Sequence, residues 1–130
     1  MKVTCAIILN NLNQVLALQR SSKMNLPLKW EFPGGKVEIG ETFKECLIRE
    51  IKEELGVTIA IQSSFGEYQY SYPTQSITLY PSICSIVSGK MALTEHKAFR
   101  WLDPEQLLQL DWAEADIAIV KDYLLLNHKF

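Results

Sequence analysis

The stretch "GGKVEIGETFKECLIREIKEELGV", Gly34–Val57, decides how the rest of the chain is read. It holds one helix with both ends written into it. Thr42 and Glu45 stand at the T-x-x-E spacing of a capping box, in which each side chain accepts from the other residue's backbone amide. Gly56 stands where a helix needs a residue that tolerates left-handed backbone. The spacing therefore predicts a helix over residues 43–55.

On a wheel at about 100° per residue, Phe43, Leu47, Ile48, Ile51 and Leu55 form the expected core face. Glu45, Arg49 and Lys52 fall opposite, as the solvent face. Glu50, Glu53 and Glu54 do neither and gather at one margin of the apolar side. Like charges at this spacing repel by roughly 0.2–0.5 kcal/mol per pair. A solvated acidic face is the plain explanation, but a mixed-sign set already occupies the solvent face. Three carboxylates on a partly shielded margin suit a hard, oxygen-ligated cation, Mg²⁺ or Mn²⁺, and Mg²⁺ commonly bridges carboxylates to phosphates.

Upstream, two strand-like runs flank a turn-rich segment, which predicts a hairpin over residues 2–20. Residues 21–29 read as a loop, and "WEFPGGKVE" as a short extended piece broken by Pro-Gly-Gly. Downstream, residues 57–72 and 76–87 read as β segments around a turn at Pro73–Gln75. Tyr68, Tyr70 and Tyr72 are read as sheet packing. "AFRWL", residues 98–102, is a short strand. Asp103 and Pro104 open a short helix as N-cap and first helical residue. Asp111 opens another, with Ile117, Val120 and Leu124 as its apolar stripe through the C-terminus. Mostly β with one central helix and one or two late ones, the pattern predicts a single α+β or mixed-sheet α/β domain over 1–130.

Composition sets outer limits. The chain has 130 residues, 48% apolar and 22% charged, with net charge −2. That balance offers no basic field for a nucleic acid polymer or an anionic membrane. Cys5, Cys46 and Cys84 are odd in number and far apart, and no C-x-x-C occurs. They read as buried free thiols rather than a disulfide framework or a zinc site. The apolar run near the N-terminus is too short to span a membrane, and no small-residue cleavage site follows it. The expected location is cytoplasmic.

The quoted stretch resembles the Nudix box, G-x5-E-x7-R-E-U-x-E-E-x-G-U with U aliphatic. Gly35, Glu41, Arg49, Glu50, Ile51, Glu53, Glu54, Gly56 and Val57 meet all nine specified positions. Similarity to the MutT-like branch, which includes 8-oxo-dGTP diphosphatases and CTP pyrophosphohydrolases, extends through "LQR", "WEFPGGK", "EHKAFRW" and the last helix. The resemblance implies an α/β/α sandwich with mixed sheet and a loop–helix–loop Nudix element. It implies hydrolysis of nucleoside diphosphates linked to another moiety, with Mg²⁺ or Mn²⁺ as cofactor. By position, Glu50, Glu53 and Glu54 would ligate metal, with the Gly34 carbonyl as a further ligand. Glu41 and Arg49 would pair and hold the loop to the helix, although a surface ion pair is the plainer reading. Glu53 is the first candidate for general base and Glu95 the second. Glu95 matches an acidic loop position that approaches the metals in MutT-like proteins, where a plain loop Glu is the alternative. His96 beside it reads as surface.

Three positions bear on substrate. Arg20 matches an Arg that contacts the nucleotide; a solvated strand-end Arg is the alternative. Phe32 would line the base pocket or fill the core. Asp116 falls where guanine-selective MutT proteins carry a base-reading Asn; a helix-surface carboxylate is the alternative. An ionised Asp only accepts hydrogen bonds. It therefore favours base edges that donate, such as the cytosine amino group or the guanine N1–H and 2-amino pair. The context of Asp116 looks more like the CTP and modified-dCTP branch, which also accepts oxidised purine nucleotides. The resemblance thus implies a nucleoside triphosphate substrate, NMP and pyrophosphate as products, a role in nucleotide-pool sanitation, and a monomer or weak dimer. The competing readings are a hydrolase of ADP-ribose or a related diphosphate and a non-catalytic nucleotide sensor. Sensor modules lose the box glutamates; here none is lost.

Overall fold

A computed structural model of the chain describes residues 1–127. Its strands are β1 (Lys2–Ile8), β2 (Val15–Gln19), β3 (Trp30–Glu31), β4 (Gly34–Lys36), β5 (Thr58–Ser64), β6 (Tyr68–Ser71), β7 (Ser76–Ser88) and β8 (Ala98–Leu102). Its helices are α1 (Phe43–Leu55) and α2 (Glu114–Asn127), with a 3-10 turn at Pro104–Gln109 between β8 and α2. One sheet runs β4-β1-β7-β5, with β6 also on β7; the other runs β3-β2-β8. β7 is the hub. It pairs parallel with β1 from Lys2–Thr78 to Ile8–Cys84, and antiparallel with β6 and then β5 along its other edge.

Both faces of β1 and β2 are buried, which explains their unbroken apolar runs. Cys5 and Ile7 of β1, Val15 and Ala17 of β2, and Leu79 of β7 pack with Ile119, Val120 and Tyr123 of α2. Their sequence neighbours Ala6, Ile8, Leu16 and Leu18 point the other way. They pack with Leu47, Ile51 and Leu55 of α1. The result is an α+β fold in which mixed sheets separate two helices and two cores. All three cysteines are free and buried.

Three local expectations are corrected. Residues 2–20 do not form a simple hairpin: β1 and β2 join different sheets, linked only by a bridge between Leu9 and Val15. Asn10 organises the corner, its Oδ1 accepting from the amides of Leu12 (3.0 Å) and Gln14 (2.9 Å). On α1, Cys46 is buried where Phe43 and Ile48 were expected, and those two are each 41% exposed. Phe43 instead stacks on Tyr80 of β7, ring centroids 4.4 Å apart. The short helix expected from Asp103 forms as a 3-10 helix over Pro104–Gln109, with Asp103 as N-cap and its amide donating to Gln106 Oε1 at 2.9 Å. The last helix begins at Glu114 rather than Asp111, because the backbone around Trp112 is held extended in a bridge to Trp30, whose amide donates to the Asp111 carbonyl at 2.9 Å. Its expected extension to the C-terminus lies partly outside the described residues.

The capping signals of α1 act as written. Thr42 Oγ1 accepts from the Glu45 amide at 3.1 Å, and Glu45 Oε1 accepts from the Thr42 amide at 2.8 Å. Gly56 closes the helix at φ 71°, its amide donating to the Lys52 carbonyl at 3.0 Å. Among the described residues, no helix is long and apolar enough to cross a membrane.

Candidate active site

The capped frame of α1 presents Arg49 to the loop that follows β4, and Glu50 and Glu54 to Gly35 and Gly34 of β4 itself. Arg49 is the centre of this network. Its Nε and one terminal nitrogen grip both oxygens of Glu41, at 2.9 and 2.7 Å. Its other terminal nitrogen reaches Glu50 at 3.0 Å and Glu53 at 3.3 Å. A guanidinium fork is built for such paired contacts, which a lysine could not reproduce. The grip holds the Glu41 carboxyl down to about 2, helped by the Glu38 amide.

Glu54 is held differently. Its Oε1 accepts from the Gly34 amide at 3.0 Å. Burial pushes its carboxyl up to about 8 against that hydrogen bond, and Glu31, Glu50 and Glu95 add repulsion. Burial also raises Glu50. Two glycines make the approach possible. A Cβ on Gly35 would lie 2.2 Å from the Glu50 carboxyl carbon. One on Gly34, where φ is 157°, would lie 2.0 Å from the Thr4 carbonyl oxygen.

The segment between β7 and β8 closes over the end of α1. Thr94 Oγ1 donates to the carbonyls of Glu53 and Glu54, both at 3.2 Å, and the Ala92 amide to that of Leu55 at 3.0 Å. These bonds satisfy carbonyls that a helix end leaves unpaired. They also carry Glu95, exposed, to where it repels Glu54.

A cavity of about 550 Å³ opens beside this cluster, lined in part by Arg20, Glu31, Phe32, Gly34 and Asp116. Gly34 is the joint: it lines the cavity and bonds Glu54. Phe32 is 4% exposed and packs on Trp112, centroids 4.9 Å apart. Its amide donates to Asp116 Oδ2 at 2.9 Å. Asp116 is buried, which pushes its carboxyl up to about 7 against the pull of that amide. Arg20 pairs with Glu31 Oε1 at 2.8 Å.

Sequence reasoning passed over Glu31 and misplaced His96. His96 is not on the surface but 7% exposed, its Nε2 2.8 Å from Glu31 Oε2. The one local signal was a charged residue inside "WEF", between two aromatics at the edge of the core.

The donor set fits a divalent cation. Glu50, Glu53, Glu54 and Glu95 offer only hard oxygens, and Glu54 sits raised among like charges. Among the described residues, no three His, Cys, Asp or Glu side chains already converge as a ligand cluster. Arg49 holds Glu50 and Glu53 instead, as a positive charge at this site would.

The NUDIX domain matches residues 1–123. The CTP pyrophosphohydrolase of Escherichia coli K12 is 31% identical over 122 residues, 94% of this chain and 90% of that protein. An 8-oxo-dGTP diphosphatase of Haemophilus influenzae is 28% identical over 129 residues, 99% and 95% of the two chains. Among solved structures, a DNA mismatch repair protein MutT of methicillin-resistant Staphylococcus aureus 252 superposes with a TM-score of 0.76. It is 41% identical and covers 96% of this chain and 95% of its own.

Proposed function

The chain belongs to the Nudix family, as a hydrolase of its pyrophosphohydrolase group, and from that premise we propose that it cleaves nucleoside triphosphates to NMP and pyrophosphate. The observation that carries this reading is the cavity itself. About 550 Å³ suits a nucleoside, and one of its lining residues, Gly34, is hydrogen-bonded to the carboxylate Glu54. A nucleoside seated there directs its phosphates toward the acidic margin of α1. The proposed unit of function is the single domain 1–130.

The residues then divide the work. Arg20, Phe32 and Asp116 hold the nucleoside. Glu41 and Arg49 fix the loop against α1 through their two-bond fork. Glu50, Glu53 and Glu54 would hold Mg²⁺ or Mn²⁺, the kind of divalent ion the family typically uses, with the Gly34 carbonyl and Glu95 as further ligands. Such an ion, when bound, neutralises phosphate oxygens and lowers the pKa of water. Glu53 is the proposed base that accepts the proton of the attacking water, because it is the most open of the three, its side chain 60% exposed. Glu95 is second for that role.

Asp116 favours a cytosine or an oxidised guanine base. A carboxyl titrating near 7 is part carboxylate and part acid at neutral pH, so it both accepts and donates. The deciding experiment is incubation with Mg²⁺ and CTP, dCTP, 5-methyl-dCTP, dGTP, 8-oxo-dGTP, ADP-ribose and NADH, with products separated by chromatography. NMP and pyrophosphate from a cytosine or oxidised guanine triphosphate is the expected result. AMP from ADP-ribose alone, or binding without turnover, would overturn it.

A further inference from the structure

We propose that His96 is a positioning residue: its imidazole donates from Nε2 to Glu31 and so fixes the carboxylate that holds Arg20 in the nucleoside cavity. The inference rests on the reading of Arg20 as a nucleoside contact.

The hydrogen bonds around the ring assign the tautomer. Glu31 Oε2 lies 2.8 Å from His96 Nε2, and a carboxylate only accepts, so the proton is on Nε2. Among the described residues His96 Nδ1 is buried with no partner, and a buried N–H left unpaired is costly, so Nδ1 carries the lone pair. Nε2 is therefore the ring's donor toward Glu31. That donor takes one oxygen of Glu31 and leaves the other for Arg20 Nη1 at 2.8 Å. On its far edge Arg20 is tied by Nε to the Asn25 carbonyl.

Without His96, the Glu31 carboxylate loses the partner that sets its rotation, and Arg20 loses a fixed anchor. The His96 side chain is 2% exposed, so water cannot readily take its place. The arrangement also joins two ends of the reaction. His96 follows Glu95, on the segment that Thr94 pins to α1. One carboxylate thus ties the nucleoside-holding arginine to the loop that carries Glu95.

The test reads binding rather than turnover. Affinities for CMP and 8-oxo-dGMP are measured by calorimetry in EDTA, for wild type, His96→Phe, His96→Gln and Arg20→Ala. Phenylalanine fills the space without a donor, whereas glutamine places an N–H at nearly the same reach. We expect His96→Phe to weaken the better ligand about tenfold and His96→Gln to stay within about threefold, in line with loss or retention of one charge-assisted hydrogen bond. Ring nitrogen shifts of wild-type His96 should report the Nε2–H tautomer, and an Nδ1–H tautomer would overturn the proposal. Wild-type affinity in His96→Phe, with loss in Arg20→Ala, would overturn it while sparing the cavity reading. Equal losses in the Phe and Gln variants would also overturn it, since the donor would not be what matters. Undiminished binding in Arg20→Ala, or no binding by wild type, would overturn the cavity reading and this proposal together.

Discussion

Asp116→Asn should stabilise the protein, and more so as pH rises. The Asp116 carboxyl titrates at about 7 in the fold against an ordinary 3.8, chiefly because it is buried. Between those values the folded chain keeps a proton that the unfolded chain has released. Stability therefore falls with rising pH across this window and is flat above and below it. The penalty reaches roughly 1 kcal/mol at pH 4.5 and roughly 4 kcal/mol at pH 7.5, at 1.36 kcal/mol for each tenfold shift in ionisation. Asparagine keeps an oxygen to accept the Phe32 amide and cannot ionise. The assay is urea denaturation of both proteins at pH 4.5, 6 and 7.5 in EDTA. Comparing the two cancels the titration of groups remote from Asp116. The advantage of the variant should grow by about 3 kcal/mol from the lowest to the highest pH. A difference that stays flat with pH would refute the reasoning, because the carboxyl would then not be desolvated in the fold.

The same variant should shift substrate preference toward 8-oxo-guanine nucleotides; an unchanged profile would show that Asp116 does not read the base. Glu53→Gln should abolish turnover with an unchanged melting curve, and near-normal rates would sink its assignment. Two neighbouring glycines should respond differently to the same change. Gly35→Ala meets first the movable Glu50 side chain, so it should keep the fold and lose most activity. Gly34→Ala drives a methyl into the backbone of Thr4 and Cys5, and thermal melting should show a loss of several kcal/mol, about 3 or more. Thr42→Ala should cost about 1 kcal/mol in urea denaturation, the usual worth of an N-cap, while leaving KM unchanged.

What could be read from the sequence was whatever local chemistry controls. Thr42, Glu45 and Gly56 bound α1 through contacts within one turn, so the helix ends were legible to the residue. "AFRWL" likewise formed the strand expected of it. The misreadings all turn on partners far along the chain. β1 looked like half of a hairpin, yet its neighbours are β7, more than seventy residues on, and β4. His96 looked exposed because Glu31, sixty-five residues earlier, does not announce itself as its acceptor. Phe43 looked like core, but its ring had Tyr80 to cover at the surface. In the site, the spacing of carboxylates along α1 was plain from periodicity. The Gly34–Glu54 bond and the pairing of Phe32 with Asp116 were not, since no pattern in one segment encodes contact with another.

The division of the interior by the sheets has a consequence for how such an enzyme can change. Phe32 and Trp112 belong to the core beneath α2, and Asp116 rides on that helix; Leu47, Ile51 and Leu55 anchor α1 in the core on the opposite side. On the proposed reading of the cavity, a lineage exploring new substrates can therefore reshape one half of the interior while the half that seats the acidic helix is left untouched. Chemistry and taste can diverge at separate speeds, which suits a scaffold meant to meet a changing supply of nucleotides.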